Sequence, residues 1–320
     1  MNKTLKKILK PILLPLYRWL TKDRLWLRQF LSVVVPVYAT KRLYKRTFSK
    51  ELNLKNPKSL NEKALWLKLN TYYNNPLITE CVDKYLVRNY VKRAGCGEIV
   101  NELLGVWDKA EKINFDELPD RFVLKGNHGC GYNLIVPDKS KLNIDEARKT
   151  VNKWMKEDYW KLFAETQYKF INKKIIAEKF LENKNNPEKW IEDYKFFCIN
   201  GIPHCVMICT ERETGDPKFY YFDRDLNYHP EYYHVPGINE LPPPPTKLVF
   251  PENLDLMFEY AEKLSKPFPF VRVDLYNIEG KIVFGELTFL SSGGLEHEGY
   301  AMRYSAVDIT KKIDEKYYAK

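Results

Sequence analysis

Three segments of the sequence each combine a strand pattern, a short turn and a second strand pattern. They are residues 122–136, 192–213 and 270–289. The turn of the second segment contains Asn200 and Gly201, and that of the third contains Glu279 and Gly280. Glycine in such a pair accepts the left-handed backbone that a two-residue hairpin turn requires. The segments therefore predict pairs of neighbouring antiparallel strands, which any fold of this chain has to accommodate.

Helical patterns occupy much of the chain between these hairpins. Apolar residues at helical spacing, next to start or stop signals, predict helices over 56–70, 76–96, 143–163 and 253–265. A further strand is predicted over 173–182, and a proline-rich connector covers 241–251. The order of segments predicts a protein of mixed helices and strands.

The chain has ample apolar material and an uneven distribution of charge. Its 320 residues are 44% hydrophobic and 14% aromatic, which suits a packed protein of two or three lobes. Residues 1–50 hold 13 of the 52 lysines and arginines but only one acidic residue, Asp23, whereas the remainder holds 39 basic and 41 acidic residues. Because the net charge of +10 is concentrated in this first segment, we expect no nucleic-acid partner.

The basic N-terminal segment also contains many leucines and aromatic residues. Its apolar stretches reach about ten residues, short of the ~20 that cross a bilayer, and its cations interrupt any signal-peptide core. Two interpretations stay open. Either the segment lies on an anionic membrane surface, with Pro11 and Pro15 breaking its helix early, or it is a helical arm packed on the body of the protein.

The cysteines indicate the cellular compartment in which the protein folds. The six of them form no C-x-x-C pair, and Cys205 and Cys209 are four apart in a strand pattern, where a disulfide is difficult to form. Reduced cysteines indicate an intracellular protein. Together with the basic segment they predict a cytoplasmic protein that is peripheral on the inner face of the membrane.

The loop within FVLKGNHGCGYNLIV, residues 122–136, combines glycines with a lysine. Glycine allows backbone N–H groups to crowd around an anion, and lysine adds a point charge suited to phosphate. The spacing differs from the P-loop and the dinucleotide fingerprint, and no helix start follows Gly131. Taken alone, the loop is either a phosphate-binding loop or a plain hairpin turn.

Charged residues alternate along the last predicted hairpin. Arg272 and Asp274 lie two apart on its first strand, and Glu286 and Thr288 lie two apart on its second, so each pair shares a face. If the short turn sets the register, Asp274 and Glu286 come within reach of one cation. Carboxylates combined with nucleotide phosphates suit Mg²⁺. Since the apolar flanks indicate a buried strand pair, we favour a metal site over a solvated charged face.

This order of segments resembles the ATP-grasp superfamily. The phrases NPKSLNEKALWLKL, NHGCGYN, DYKFFCINGIP and PFVRVDLYNIEGKIVFGELTF look like its TupA-like branch, which is associated with bacterial capsule and teichuronopeptide synthesis. The resemblance covers roughly residues 50–295. It implies an α+β fold in which two α+β lobes grip ATP after a helical N-terminal region. The expected divisions are a basic amphipathic segment over 1–50, a helical region over 51–120, a first lobe with the glycine-rich loop over 121–190, and a second lobe with the metal site over 191–320.

The resemblance assigns nucleotide-binding roles to individual residues. Lys84 and Lys125 would contact the phosphates of ATP, and Gly129, Cys130 and Gly131 would form the tip of a mobile loop that closes on them. Cys130 stands where the branch often has serine, which removes a hydroxyl donor to phosphate.

The nucleoside would be held by a second group of residues. Glu178 matches the hinge residue near the adenine, with Lys179 beside it. The backbone of Phe180 and Leu181 would hydrogen bond to the adenine, and Asp193 would bind the ribose.

The remaining roles concern catalysis. Arg272 matches the arginine that stabilises the transition state, and Asp274 and Glu286 match the magnesium ligands. Thr288 stands where the superfamily often has asparagine as a third ligand, and it is a weaker oxygen donor. Lys195 and Lys218 could both contact phosphate, although a lysine on a strand edge is more often solvated. Lys218 is preferred, because it precedes FYYFDRDLNY, where the superfamily often has another basic residue.

The chemistry implied is an ATP-dependent carboxylate–amine ligation that uses ATP and Mg²⁺ and passes through an acylphosphate. The expected substrates are an amino acid and a polysaccharide or lipid-linked sugar, and the acceptor would lie near residues 291–298. Two rivals stay open. Asp223 and Asp225 form a D-x-D pair that could serve a metal-dependent glycosyltransferase of capsule synthesis, and Thr288 with Cys130 would allow a non-catalytic, membrane-docked ATP-grasp scaffold.

Overall fold

A computed structural model describes residues 25–183, 190–233, 243–245, 248–296 and 303–317. The predictions for Pro11 and Pro15, and part of the proline-rich connector, lie outside these ranges. Within the described residues, no helix is both long enough and apolar enough to cross a lipid bilayer. All six cysteines carry free thiols.

Helices form the N-terminal part of the described chain. A helical stretch over 25–34 leads into four helices, which are α1 (Pro36–Phe48), α2 (Leu60–Leu69), α3 (Pro76–Val82) and α4 (Val87–Arg93). Helix α2 starts at Ser59, whose hydroxyl accepts from the Glu62 N–H while the Glu62 carboxylate accepts from the Ser59 N–H. The single helix predicted over 76–96 is divided, because the Asp83 carboxylate accepts hydrogen bonds from the next turn and starts α4 afresh.

The first sheet is antiparallel and has four strands. They are β1 (Leu103–Trp107), β2 (Phe122–Gly126), β3 (Asn133–Val136) and β4 (Ile175–Lys179), in the spatial order β1-β4-β2-β3. Helix α5 (Ile144–Lys156) covers it, with Ala147, Val151 and Trp154 buried against strand residues. The helix predicted over 143–163 ends at Lys156, and β1 was not predicted from the sequence.

The second sheet is antiparallel and has five strands. They are β5 (Asp193–Ile199), β6 (Ile202–Thr210), β7 (Lys218–Phe222), β8 (Phe270–Ile278) and β9 (Lys281–Thr288), in the order β7-β6-β5-β8-β9. Both predicted turns are confirmed, since Asn200, Gly201, Glu279 and Gly280 all have φ between 52° and 85°. Helix α6 (Leu254–Ser265) packs on this sheet.

Short 3₁₀ turns connect these elements. They are Gly97–Ile99, Ala110–Lys112, Lys139–Lys141, Tyr159–Lys161, Thr166–Tyr168, Arg212–Thr214, Pro230–Tyr232, Ser291–Gly294, Tyr304–Ala306 and Glu315–Tyr317.

Two separate cores hold the two sheets, and α3 and α4 connect them. Tyr90 of α4 donates to the Leu264 carbonyl at 2.7 Å within the core of the second sheet. The same helix presents Arg88 to Glu178 of the first sheet. Helix α4 therefore contacts both sheets and helps to fix one relative to the other.

Candidate functional site

The last hairpin sets four polar residues in register. Asp274 lies directly opposite Glu286, and Arg272 lies opposite Thr288. A bulge after Asp274 leaves Gly285 as an extra residue, and a Cβ atom there would come within 2.9 Å of the Asp274 carbonyl oxygen. Glycine is required for this close approach. The predicted register, which places Asp274 opposite Glu286, is confirmed.

Asp274 is held by two cations in the middle of the sheet. The Arg272 guanidinium donates to both of its oxygens, at 2.7 and 2.8 Å, and Lys195 Nζ approaches its Oδ2 at 2.5 Å. Asp274 is only 2% exposed. Burial acts first and would raise the pKa of the Asp274 carboxyl, but the charges of Arg272 and Lys195 outweigh it and the pKa lies below its usual value. Asp274 is therefore ionised at neutral pH.

Glu286 lies on the open side of the same group. Its side chain is 41% exposed, and its Oε1 accepts a hydrogen bond from the Thr288 hydroxyl at 3.1 Å. Arg272 Nη2 is 3.9 Å from that oxygen, and Arg272 also donates to Ser291 Oγ at 2.6 Å. We call Lys195, Arg272, Asp274 and Glu286 the hairpin cluster.

The hairpin cluster has oxygen donors of the kind that Mg²⁺ prefers, in the form of two facing carboxylates. The oxygens of Asp274 accept three hydrogen bonds in total, which leaves it one lone pair, whereas Glu286 faces solvent. No group of three or more His, Cys, Asp and Glu side chains in the described ranges is placed to share a metal ion. The donor set therefore suits a cation whose other ligands are phosphate oxygens and water.

Asp193 and Lys195 belong to the central strand β5. Asp193 is 2% exposed and forms ion pairs with Arg212 and, at 3.6 Å, with Lys195. Burial is the main cause of the raised pKa of Asp193, and the charges of Lys195 and Arg212 oppose it. Lys195 is buried between two carboxylates and is not a solvated lysine. The signal that could have identified it is its i, i+2 spacing from Asp193, which mirrors that of Arg272 and Asp274.

Lys218 lies apart from this group in the structure. It begins the edge strand β7, where its ammonium pairs with Asp216 and its side chain is 43% exposed. Its proposed contact with phosphate stays a prediction.

In the first sheet, Lys125 and Glu178 are brought together. Lys125 Nζ is 2.6 Å from Glu178 Oε2, and Arg88 Nη1 is 3.2 Å from Glu178 Oε1. Glu178 is 8% exposed, so both of its oxygens are satisfied in a buried position. Arg88 was not singled out from the sequence, since it reaches Glu178 only through the packing of α4.

The residues after Glu178 leave main-chain groups available. Asn101 donates to the Lys179 carbonyl at 2.9 Å, and the Lys179 N–H donates to the Glu102 carbonyl at 3.0 Å. Between residues that the structure describes, no main-chain hydrogen bond outside the strands involves Phe180 or Leu181. These groups are thus compatible with the predicted contact to adenine.

The base of the glycine-rich loop is fixed by Asn127. Its amide Nδ2 donates to Asp83 Oδ1 and to the Asn172 carbonyl, both at 3.0 Å, and its Oδ1 accepts from the Lys174 N–H at 2.7 Å. His128 is buried next to it, with Nε2 3.0 Å from the Trp154 carbonyl, and burial lowers the pKa of His128. His128 is a structural residue and not a candidate proton carrier.

The tip of the loop is more open. Lys84 Nζ donates to the Gly129 carbonyl at 2.5 Å, and a Cβ on Gly129 would come within 2.6 Å of the Tyr159 ring. Gly131 has φ +79°, a Cβ added there would meet no atom within 4 Å, and Cys130 is exposed. The pKa of the Cys130 thiol is raised, first by partial loss of hydration and then by the charge of Glu286. The loop tip is therefore close enough to the hairpin cluster for the charge of Glu286 to act on the Cys130 thiol.

Glu165 and Lys68 are two buried ionisable residues whose charges act on each other. Glu165 and Lys68 are 2% and 1% exposed, and Lys68 Nζ donates to the Phe163 carbonyl at 2.9 Å. Burial raises the pKa of Glu165 to about 7 and lowers that of Lys68 to about 8, and each charge opposes the shift of the other. No pattern in the sequence indicated this pair, because the two residues are far apart along the chain.

The D-x-D pair has a local structural role. Asp223 accepts hydrogen bonds from the Asp225 and Asn227 N–H groups, at 3.0 and 2.9 Å, and its other oxygen contacts Asn227 Nδ2 and His229. Since Asp223 closes a turn with both oxygens, the arrangement offers nothing specific to a glycosyltransferase metal.

Comparison with known proteins gives one family and several distant structures. A profile described as TupA-like ATPgrasp matches residues 62–302. No curated protein matches the chain significantly.

Solved structures match at low similarity. A D-alanine–D-alanine ligase from Bacillus anthracis, complexed with ATP, is 18% identical with a TM-score of 0.38, over 66% of this chain and 54% of that one. An N5-carboxyaminoimidazole synthetase from Staphylococcus aureus, complexed with ADP, is 11% identical with a TM-score of 0.40, over 65% of this chain and 44% of that one. This chain thus spans about half of the length of these enzymes, and the likeness assigns it no substrate.

Proposed function

The chain belongs to the TupA-like ATP-grasp family, and from that premise we propose that it is an ATP-dependent carboxylate–amine ligase acting on a bacterial cell-surface polysaccharide. The observation that carries the proposal is the hairpin cluster, whose Glu286 is close enough to the glycine-rich loop for its charge to act on the Cys130 thiol. This arrangement concentrates cations and carboxylates where a nucleotide triphosphate could be held between the sheets.

Two steps would form the amide. A carboxylate oxygen of one substrate attacks the γ-phosphorus of ATP, the bond to the β–γ bridging oxygen breaks, and ADP leaves. The nitrogen of a neutral amine then attacks the carbonyl carbon of the acylphosphate, the bond to the phosphate oxygen breaks, and phosphate leaves as the nitrogen loses its proton. Both steps depend mainly on positioning and on neutralising charge on the phosphate oxygens.

The residues of the chain have separate parts in this scheme. Lys84 and Lys125, together with the N–H groups of the loop tip, would bind the phosphates. Arg272 would stabilise the charge that develops on the transferred group, with Asp274 fixing its orientation through two hydrogen bonds. Asp274 and Glu286 would hold Mg²⁺, which when bound offsets the charge of the β- and γ-phosphates.

The substrate class follows from the family resemblance. The acceptor would be an amino acid or a sugar of a capsule or teichuronopeptide-like polymer, bound near Ser291 and the segment after it. A cavity of about 20 Å³ lies there, lined by residues of α2 and of 290–296. This volume holds about one water molecule, so the acceptor segment would have to open to admit a substrate.

Calorimetry and a trapping assay test the proposal. Binding of ATP with Mg²⁺, and no binding of UDP-sugars, is the expected result for a ligase. In the presence of a donor carboxylate and hydroxylamine, an acylphosphate would give a hydroxamate together with stoichiometric ADP. Screening amino acids against uronic-acid glycans for ADP release would then identify the substrates. The proposal fails if the chain binds UDP-sugars in preference to ATP, or binds no nucleotide.

A further inference from the structure

The N-terminal arm, residues 25–48, is packed on the body along one side. Tyr44 is buried in a small cluster with Leu52 and Leu65, and Leu295 packs against that cluster. Near the start of the arm, the Arg28 guanidinium lies 5.2 Å from the centre of the Phe163 ring. The arm is therefore part of the folded protein, as one of the two interpretations of this segment expected.

The other side of the arm exposes large apolar side chains. Its apolar face consists of Trp26, Phe30, Val33, Val34, Val37 and Tyr38, which are between 47% and 66% exposed. Trp26, Phe30, Val33 and Val34 recur at helical spacing within the stretch 25–34, and Val37 and Tyr38 lie in the first turn of α1. Val35, with φ −138°, separates the two helical pieces; its N–H donates to the Leu31 carbonyl and its carbonyl accepts from the Ala39 N–H. The rings of Trp26 and Phe30 stack with centroids 5.7 Å apart. An apolar face of this kind marks an interaction surface.

The charges around the apolar face indicate the kind of partner. Residues 25–50 contain six lysines and arginines and no acidic residue. Helix α1 continues from Val37 and Tyr38 into four exposed cations, which are Lys41, Arg42, Lys45 and Arg46. Apolar and aromatic groups beside a row of cations match the boundary between acyl chains and anionic headgroups, where Trp and Tyr are favoured.

The arm is joined to the acceptor end of the site. Leu65, which contacts the arm, belongs to α2, and Asn61 of the same helix donates to the Glu296 carbonyl at 2.9 Å. The segment that Asn61 holds begins with Ser291, the hydrogen-bond partner of Arg272. A surface bound by the arm is thus connected to the acceptor segment through one helix.

We infer that the apolar face of the arm docks on the anionic surface of a lipid bilayer, so that the acceptor is a sugar or peptide attached to that bilayer. The inference of docking depends only on the observations on the arm, whereas the identity of the acceptor rests on the proposed function. Burial of the apolar face in the headgroup region and attraction of the cations would act together, and only the second contribution is screened by salt.

Vesicle co-sedimentation of the full chain, without nucleotide, tests the docking. We expect binding to phosphatidylcholine vesicles containing about one quarter phosphatidylglycerol, binding to pure phosphatidylcholine at least about tenfold weaker, and weakening by added salt. The double variant Trp26→Glu, Val34→Glu should lose at least about tenfold in partition, since it places two charges in the buried face. Ile135→Glu, Ile202→Glu is the matched control, because both isoleucines are 53% exposed outside the arm and should not matter.

Three results would overturn the inference. The first is that the full chain fails to bind anionic vesicles at low salt, and the second is that the arm variant binds as well as the wild type. The third is that the wild type sediments as a dimer whereas the arm variant sediments as a monomer, which would make the apolar face a dimer interface. Melting curves and ATP calorimetry of the variant separate loss of docking from loss of folding. ADP release with soluble substrates reports on the proposed function independently, so a chain that docks without releasing ADP contradicts the ligase and not the docking.

Discussion

Lys195 and Asp274 face each other across neighbouring strands at the centre of the five-stranded sheet, with 2.5 Å between the ammonium nitrogen and a carboxylate oxygen. Asp274 also accepts two hydrogen bonds from Arg272 on its own strand. A carboxylate with two cations on one face of a sheet orients the arginine that the proposed chemistry requires.

Replacing Lys195 by methionine should therefore affect both stability and activity. Breaking a buried pair leaves Asp274 with one cation fewer, and we expect the free energy of unfolding to fall by about 3 kcal/mol. ADP release should fall about 100-fold. Lys218→Met is the informative comparison, because its ammonium pairs with exposed Asp216 and not with a buried carboxylate of the described residues. If Lys218 is the phosphate contact, as the sequence suggested, Lys218→Met should show the large loss of ADP release and Lys195→Met should not.

Glu286→Gln should abolish ADP release while leaving the fold intact. The substitution removes one charge at nearly constant shape, and the 41% exposed side chain pairs only loosely, at 3.9 Å, with Arg272 Nη2. Glu252→Gln is the control, since it makes the same change at an exposed position of the same half of the chain. A variant that melts like the wild type but keeps more than about 10% of the activity would exclude Glu286 as a metal ligand.

Gly131→Val should raise the KM for ATP by at least about tenfold. A valine side chain would have room, because no atom lies within 4 Å of a Cβ at this position. The φ of +79° is the obstacle, because a β-branched residue is less stable in the left-handed region by about 1–2 kcal/mol. Gly215→Val is an unusually close control, with φ +77° and equally open surroundings in another turn. If both variants show unchanged nucleotide kinetics, the glycine-rich loop is a simple turn.

Glu165→Gln should change how stability depends on pH. Between pH 4.5 and about 7 the unfolded chain has released the Glu165 proton and the folded chain retains it, so the wild type loses stability as the pH rises through this window. The glutamine variant has no such loss. The difference between its free energy of unfolding and that of the wild type should therefore increase in favour of the variant from pH 5 to 7. Parallel pH profiles in urea titrations would show that Glu165 is ionised in the folded protein. Glu259→Gln, on the exposed side of α6, should follow the wild type.

Local patterns predicted the parts of the fold that depend on local structure. The hairpin turns at Asn200 and Glu279 were correct because the chain needs a left-handed backbone there, and the register of Asp274 with Glu286 follows from the second turn. The helix over 76–96 was predicted as one piece because its apolar spacing continues through Asp83, whose carboxylate is engaged by Asn127 of the loop. That contact depends on packing between distant segments.

Long-range strand order explains what the sequence could not reveal about the site. Lys195 was expected to be solvated, and whether a strand is central or at an edge is set by the order β7-β6-β5-β8-β9. Arg88 is a similar case, since it pairs with Glu178 across a long stretch of chain. The charge of Lys68 likewise acts on Glu165, which is far from it in sequence. Residue types and spacing suggested the carboxylates, whereas the cations that neutralise them became visible only in the folded arrangement.

The hydrogen bonds of Asn127 also limit how far the glycine-rich loop can travel. Asn127 is tied to two segments, at Asp83 and at residues 172–174. His128 is buried beside Trp154, and on the other side of the loop the Tyr132 carbonyl accepts from the Gly126 N–H at 2.9 Å. Only residues 129–131 are left to swing, and a tip two residues from either anchor reaches at most about 7 Å. If this loop contacts the phosphates of ATP as proposed, so short a reach would require the phosphates to lie against the ends of β2 and β3.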